Sequence, residues 1–266
     1  MAKIPAVSIV IPTLEREDDL TECLKSLHAQ TVQDFEVITL RERGPLSLLR
    51  NRGLHQARGR VVCFIDDDVR CPKDWLAHLL GTLRTPGVAG VTGPALIPGE
   101  FQRQRDLFRH RSLKRFHDLL FLDHGNPAHI HRSGAASIFP EDTGYHGPCH
   151  YLEACNQAYR TKALRAVGGF DEAYGGVGDW SEPDVGLRLR QRFGPACLRY
   201  EPGCALTHLP SRSGAFLLRA SDARQRLANA RLFAARWVRP SWRARTYRGF
   251  LWSYYVGWPK MSHWSR

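Results

Sequence analysis

Val61-Val62-Cys63-Phe64-Ile65-Asp66-Asp67-Asp68 joins five apolar residues directly to three carboxylates. A short continuous apolar run is the pattern of a strand covered on both faces, as in a parallel sheet. If the strand ends at Ile65, the acids emerge at its carboxyl end, where open α/β sheets place their ligands. Three adjacent carboxylates repel one another and give an isolated fold nothing in return. A divalent cation such as Mg²⁺ or Mn²⁺ reverses that balance, because hard cations take carboxylate oxygens and bridge to phosphates. The competing reading is a solvated acidic turn. The following Pro72-Lys73-Asp74-Trp75 reads as a helix start with proline near its first turn, which favours the metal–phosphate site.

Working outward, the same alternation recurs on both sides. Val7-Ser8-Ile9-Val10-Ile11 is a buried first strand stopped by Pro12, and Asp18 or Asp19 can cap a helix with Leu20, Leu24 and Leu27 at helical spacing. Phe35–Thr39 is a second strand, followed by a helix from Leu46 to Ala57 that Gly59 closes. After the Val61–Ile65 strand come a helix over Lys73–Leu83 and a strand near Val88–Val91. This β–α alternation predicts right-handed βαβ units and a nucleotide-binding half-domain over 1–98.

Residues 99–150 break the rhythm. The stretch 99–122 reads as a helix or hairpin on the acceptor side, and 123–147, full of Gly, Pro and His, as a mobile polar loop. His129 and His131 alternate as metal ligands can, but solvated loop histidines are the simpler reading. Regular structure resumes with a strand at Ala158–Arg160 and a helix capped by Thr161. A helix over Ser181–Arg192 follows, opened by an S-x-x-[DE] signal of Ser181 and Asp184 with Pro183 in its first turn. Helix-dipole stabilisation alone would account for Glu182 and Asp184 there.

At 266 residues and 43% hydrophobic, the chain can bury a full core. It has no apolar run of ~18 residues and no signal-peptide h-region. Seven scattered cysteines without a C-x₂-C pair suit reduced thiols rather than a disulfide framework or a zinc site. These features predict a cytoplasmic protein, peripheral at the inner face of the membrane if its tail docks there. The net charge of +12 is concentrated at one end: residues 212–266 hold 12 Lys/Arg against one acid, Asp222, leaving the first 211 near neutral.

Several motifs occur in a fixed order: Val7–Thr13, Arg50-Asn51-Arg52-Gly53, Phe64–Asp68, Asn156–Arg160, Gly168–Glu172, Glu182–Arg188 and finally His208. In order and spacing the chain resembles the family 2 glycosyltransferases over roughly residues 6–210. Asp-x-Asp alone is a weak signal; the ordered set is a strong one. The resemblance implies an α/β GT-A fold, with a Rossmann-like, mostly parallel sheet flanked by helices. It also implies a nucleoside-diphosphate sugar donor, Mn²⁺ or Mg²⁺, and inversion at the anomeric carbon. Residues 1–211 would form the catalytic domain, with the acceptor half over 99–211, and 212–266 a basic, Trp-rich helical extension.

The resemblance assigns roles residue by residue. Asp68 would bind the metal with His208, Asp66 would face the ribose hydroxyls, and Asp67 would support their geometry. Arg50 and Asn51 would lie near the nucleotide, and Asn156 near the acceptor. Trp180 offers a stacking face for a sugar. Inversion needs a base that takes the acceptor proton. The family's Glu-Asp pair is altered here to Ser181-Glu182-Pro183-Asp184. Aligning on Asp184, Val185 and Arg188 puts Glu182 in the base position, with Asp184 or Asp179 as alternatives. The family's Asp after the second strand, which reads the base of the donor, is also missing. Glu42, or backbone near Pro12 and Thr13, would take that role.

The acceptor, whether glycan, lipid-linked or peptide, is not legible in this sequence. Five of the seven tryptophans fall in 212–266 among arginines. Such a segment suits packing on the catalytic domain, contact with an anionic membrane surface, or single-stranded nucleic acid, the last least favoured. Two other functions compete with glycosyl transfer. A nucleotidyltransferase could use a similar Asp-x-Asp site, but Pro12-Thr13-Leu14-Glu15-Arg16 lacks a Gly-rich phosphate loop. A non-enzymatic nucleic-acid-binding protein would explain a pI near 9.7, yet the charge lies in the tail and the acids lie at the motifs.

Overall fold

The computed structural model describes residues 3–99, 111–137, 144–210 and 223–253. Its main sheet is built from β1 (Val7–Pro12), β2 (Phe35–Leu40), β3 (Val61–Ile65), β5 (Gly90–Thr92), β7 (Gly147–Pro148), β8 (Asn156–Arg160) and β9 (Leu198–Tyr200). Their spatial order is β2-β1-β3-β8-β5-β9-β7. Five of these seven strands point one way; only β8 and β7 are reversed. A smaller sheet joins β4 (Val69–Arg70), β6 (Ala95–Leu96) and β10 (Leu206–His208), in the order β4-β10-β6. The helices are α1 (Glu17–His28), α2 (Leu46–Gln56), α3 (Trp75–Leu83), α4 (Arg111–Phe121), α5 (Thr161–Ala166), α6 (Ser181–Phe193), α7 (Ala223–Trp237) and α8 (Trp242–Trp252).

The continuous apolar run of β3 has the environment that such a run requires. Val61, Cys63 and Ile65 enter one core with Leu20 and Leu27 of α1 and Leu76 and Leu79 of α3. Val62 and Phe64 enter a second core on the opposite face, with Leu49 and Leu54 of α2 and Val185 and Leu189 of α6. Two glycines let helices approach that second face. A Cβ on Gly53 would stand 2.2 Å from Val10 Cγ1, and one on Gly186 would stand 2.2 Å from the His150 carbonyl. Any larger residue would push α2 or α6 outward, and with them Arg50 and Glu182. The seven cysteines are all buried and free.

Local details differ from the sequence reading. Helix α1 starts at Glu17, so Asp18 and Asp19 lie in its first turn and neither caps it. Helix α2 ends at Gln56 with Ala57 as its cap, while Gly59 lets the backbone pass close to Ser8. Thr161 is the first residue of α5, and its hydroxyl donates to the Gly59 carbonyl at 2.7 Å rather than capping the helix. Nor does Ser181 cap α6. The cap is Trp180, held at φ 75°, and the Asp184 carboxylate is engaged elsewhere.

The histidine-rich stretch is also different from a solvated loop over its described part, 123–137. Ile130 and Ala136 form a bridge, and His129, His131, Ser133 and Ser137 are buried. The backbone N–H of Asp123 donates to His131 Nδ1 at 2.9 Å. Burial holds His131 down to about 4 and His150 down to about 3, with neighbouring positive charge adding to the effect. These rings are neutral packing elements. Residues 138–143 of the expected loop, and 100–110 of the expected helix or hairpin, lie outside the described residues.

Helices α7 and α8 pack onto the rest of the fold. A third apolar cluster joins Phe121 and Ala135 to Leu227, Ala230, Tyr247 and Leu251. Asn229 donates to the Gly175 carbonyl at 3.0 Å, and Arg243 pairs with Asp123 at 2.6 Å. The expected division between residues 211 and 212 falls where 211–222 lie outside the described residues. Among the described residues no helix is long and apolar enough to cross a membrane.

Candidate active site

The acid triplet leaves the carboxyl end of β3 and is met there by a residue far along the chain. β4 follows the triplet at once and pairs antiparallel with β10, with His208 opposite Val69. That register delivers His208 to Asp68: Nε2 lies 3.2 Å from Oδ1. Asp66, Asp68 and His208 each offer a ligand atom, all within 4.8 Å of one another. Asp66, expected from sequence to face the ribose, thus lies in a group that could hold a metal ion. Two carboxylates and an imidazole are a donor set that a divalent cation accepts.

The electrostatics of this corner are strained. Burial, and then the charge of Asp68, push Asp66 upward. Burial pushes Asp67 up to about 6. For His208 burial opposes protonation, but the hydrogen bond and charge of Asp68, with Asp66 behind it, outweigh that and raise it. A cation here would relieve the repulsion among the acids and displace the imidazole proton.

One basic residue in this corner was not singled out from sequence. Arg16, in the turn between β1 and α1, places Nη1 2.9 Å from Asp68 Oδ2 and Nη2 3.0 Å from Asp67 Oδ1. Its fork spans both carboxylates. The available signal was a lone arginine in the first β–α turn.

Behind the triplet, Arg50 of α2 is 1% exposed and ion-paired with Glu182, itself 6% exposed in the first turn of α6. Arg50 also donates to the Ala154 carbonyl at 2.9 Å, and its charge favours ionisation of Asp66. The guanidinium therefore links the base candidate to the metal corner. Glu182 Oε2 accepts no hydrogen bond among the described residues, so one of its oxygens remains open to a proton.

Asp184 is in a different situation. Its Oδ1 accepts from Trp237 Nε1 at 2.8 Å and Tyr174 Oη at 3.2 Å, with Arg236 Nη1 at 3.4 Å; Oδ2 accepts from Arg188 Nε at 2.8 Å. It is 1% exposed. Asp179, the other alternative, is paired with Arg226 of α7. Trp237, Arg236 and Arg226 all belong to the tail, and sequence reading attached none of them to the acid motif.

Other expected site residues are spread out. Asn156 is fully buried: its Oδ1 accepts from Trp75 Nε1 at 3.0 Å, and Nδ2 donates to the Gly93 and Cys204 carbonyls. It ties β8 to α3 and to the turns at Gly93 and Cys204. Asn51 bonds the N–H and carbonyl of Phe170 and the Glu172 carboxylate, latching the Gly168–Glu172 turn to α2. One face of Trp180 is covered by Phe233 of α7, with ring centroids 4.8 Å apart. Glu42 is an outer residue paired with Arg52. Pro12 ends β1, and the Thr13 N–H donates to the Leu40 carbonyl at 3.0 Å, so the first two strands remain joined at the mouth of the site.

Residues 37–165 match the family model described as glycosyl transferase family 2. Over these residues, just under half of its length, the chain carries a family 2 glycosyltransferase domain. A pre-mycofactocin glycosyltransferase of Mycobacterium tuberculosis is 32% identical over 168 residues, which is 62% of this chain and 30% of that protein. The chain thus spans about a third of the length of that curated relative. Among solved structures, a mannosyltransferase from Pyrobaculum calidifontis in complex with GDP-Man and Mn²⁺ superposes with a TM-score of 0.55 at 15% identity, covering 95% of this chain and 70% of the other. GalNAc-T7 with UDP, GalNAc and Mn²⁺ superposes with a TM-score of 0.60 at 11% identity, covering 88% and 48%. At such identities the likeness is one of fold, and the fold of this glycosyltransferase domain is GT-A.

Proposed function

We propose that the chain transfers a sugar, with inversion, from a nucleoside-diphosphate sugar to an acceptor hydroxyl. The observation that carries this reading is the convergence of Asp66, Asp68 and His208 at the carboxyl end of β3, with ligand atoms within 4.8 Å of one another. These three residues would hold Mn²⁺ or Mg²⁺. Such an ion supplies charge stabilisation to a departing diphosphate. The Mn²⁺ in the complexes of the two structural neighbours supports the choice of ion.

The chain's own residues do the rest. Asp67, held by Arg16, keeps the triplet in register. Pro12 and Thr13, at the joined ends of β1 and β2, line the place where the donor base would lie, with the Glu42–Arg52 pair outside it. Glu182 accepts the proton of the acceptor hydroxyl through Oε2, while Arg50 holds Oε1. Asp184 orients the start of α6 and the tail, and has no room to act as a base.

Incubation with UDP-, GDP- and dTDP-sugars plus Mn²⁺, with and without candidate acceptors, tests the proposal. The expected result is release of nucleoside diphosphate from one donor class, abolished by EDTA. Release of pyrophosphate from a nucleoside triphosphate, with no diphosphate from any sugar donor, would point to nucleotidyl transfer.

A further inference from the structure

Among the described residues seven large apolar side chains are exposed, and four of them sit on two helices packed together. Phe116 (55%) and Leu119 (82%) lie on α4, and Trp242 (63%) and Trp252 (55%) lie on α8. The helices hold each other through Phe121 against Tyr247 and Phe250, at centroid distances of 5.1 and 5.4 Å. Single exposed apolar residues are ordinary, but a concentration of this kind marks a contact surface.

The charge of α7 and α8 has one sign, and the single acid of α4, Asp118, is paired with Lys114. Ala244, Tyr247 and Leu251 form the buried stripe of α8, and Trp242, Arg245, Arg248 and Trp252 fall outside it and are exposed. An open groove of about 250 Å³ between α7 and α8 is lined by Leu227, Arg231, Arg248, Leu251 and Trp252 among others. Neither helix contains an acidic residue. Arg226, Arg236 and Arg243 are paired with acids of the catalytic body. Arg231, Arg245 and Arg248 pair with no acid among the described residues. Residues 212–266 as a whole carry a net charge of +11, from 12 Lys/Arg and one acid.

We propose that this α4–α8 face docks on the surface of an anionic phospholipid bilayer. Tryptophan rings sit well at the headgroup level, apolar in the body and polar at the N–H. Arginines beside them meet lipid phosphates, each adding to the attraction of an anionic leaflet. The surface combines the two signals, apolar area and basic charge, that peripheral attachment requires. The site for single-stranded nucleic acid would need aromatics spaced along a basic channel; here they stand on the outer faces of two neighbouring helices. The inference goes beyond the transferase reading and does not rest on it.

The test is co-sedimentation of the full chain with vesicles of phosphatidylglycerol in phosphatidylcholine, against pure phosphatidylcholine, at low and high salt. Binding should require the anionic lipid and weaken with salt. The double variants Trp242→Ala/Trp252→Ala and Arg245→Gln/Arg248→Gln should each lower binding by about tenfold or more. Circular dichroism, the thermal midpoint and nucleoside-diphosphate release should be unchanged. Binding that ignores lipid charge, or that persists in both double variants, would overturn the proposal. So would a labelled single-stranded oligonucleotide that binds more tightly and displaces the vesicles.

Discussion

Two groups of acids lie close together in this protein and are held in opposite ways. Asp66, Asp67 and Asp68 crowd one strand end, and burial with mutual repulsion drives Asp66 and Asp67 toward the protonated form. Their compensation, from Arg16 and His208, is incomplete. Asp184 accepts from Trp237, Tyr174 and Arg188, with Arg236 close by. A buried acid with both oxygens engaged is part of the structure. A buried acid cluster that repels itself is waiting for a positive charge. Glu182 stands between the two cases, with one oxygen held and one open.

The comparison breaks most visibly if the cluster can be neutralised without loss. Asp68→Asn should lower nucleoside-diphosphate release by about 10³-fold or more, because the metal-borne charge stabilisation is worth several kcal/mol. The thermal midpoint should hold or rise as repulsion is relieved. Glu182→Gln should lower kcat by roughly 10²–10⁴-fold with little change in donor KM, since the base acts in the transition state. Asp184→Asn should behave differently: activity falls modestly, and stability falls by about 2–4 kcal/mol as charge-assisted bonds are lost. An inactive but stable Asp184→Asn beside a near-normal Glu182→Gln would exchange the two roles.

A smaller effect sharpens the account of Arg16. Its guanidinium occupies the carboxylates that a cation would use, so Arg16→Met should tighten Mn²⁺ binding several-fold in the absence of donor, by removal of a competing positive charge. Weaker Mn²⁺ binding in titration calorimetry would instead show that the hold of Arg16 on the triplet outweighs its competing charge. The smallest effect lies in the histidines. His131 and His150 are depressed by burial to about 4 and about 3, below an unfolded value near 6.5. The unfolded chain then binds more protons, so stability is complete above pH ~6.5 and is lost as pH falls toward ~3. His150→Asn, which keeps an acceptor for the Ile130 N–H, should make that decline of the thermal midpoint shallower.

The parts of this protein that were legible in sequence are contiguous there. Five apolar residues and three acids in a row announce both a doubly covered strand and what stands at its end. The motif order did the same for the fold and for the convergence of Asp68 with His208. The pairings that were missed span long separations: Arg16 reaches Asp68 across 52 residues, and Trp237 reaches Asp184 across 53. No local period reports such contacts. Ser181 and Asp184 satisfy a capping pattern, but the tail recruits the Asp184 carboxylate, and a tertiary bond outweighs a local one. Asn156 stands in a recognisable motif for a structural reason, its three side-chain hydrogen bonds joining β8 to the strands and turns around it. The histidine stretch has loop composition, yet backbone N–H groups and apolar neighbours take it into the interior.

The central claim is that the acid corner at the end of β3 is completed by a divalent cation. Titration calorimetry of the wild-type chain with Mn²⁺, beside Asp68→Asn and His208→Ala, tests it most directly. The account predicts one Mn²⁺ per wild-type chain, bound with proton release, and at least about tenfold weaker binding in either variant. Equal Mn²⁺ binding by all three proteins, or none by the wild type with donor nucleotide present, would contradict it.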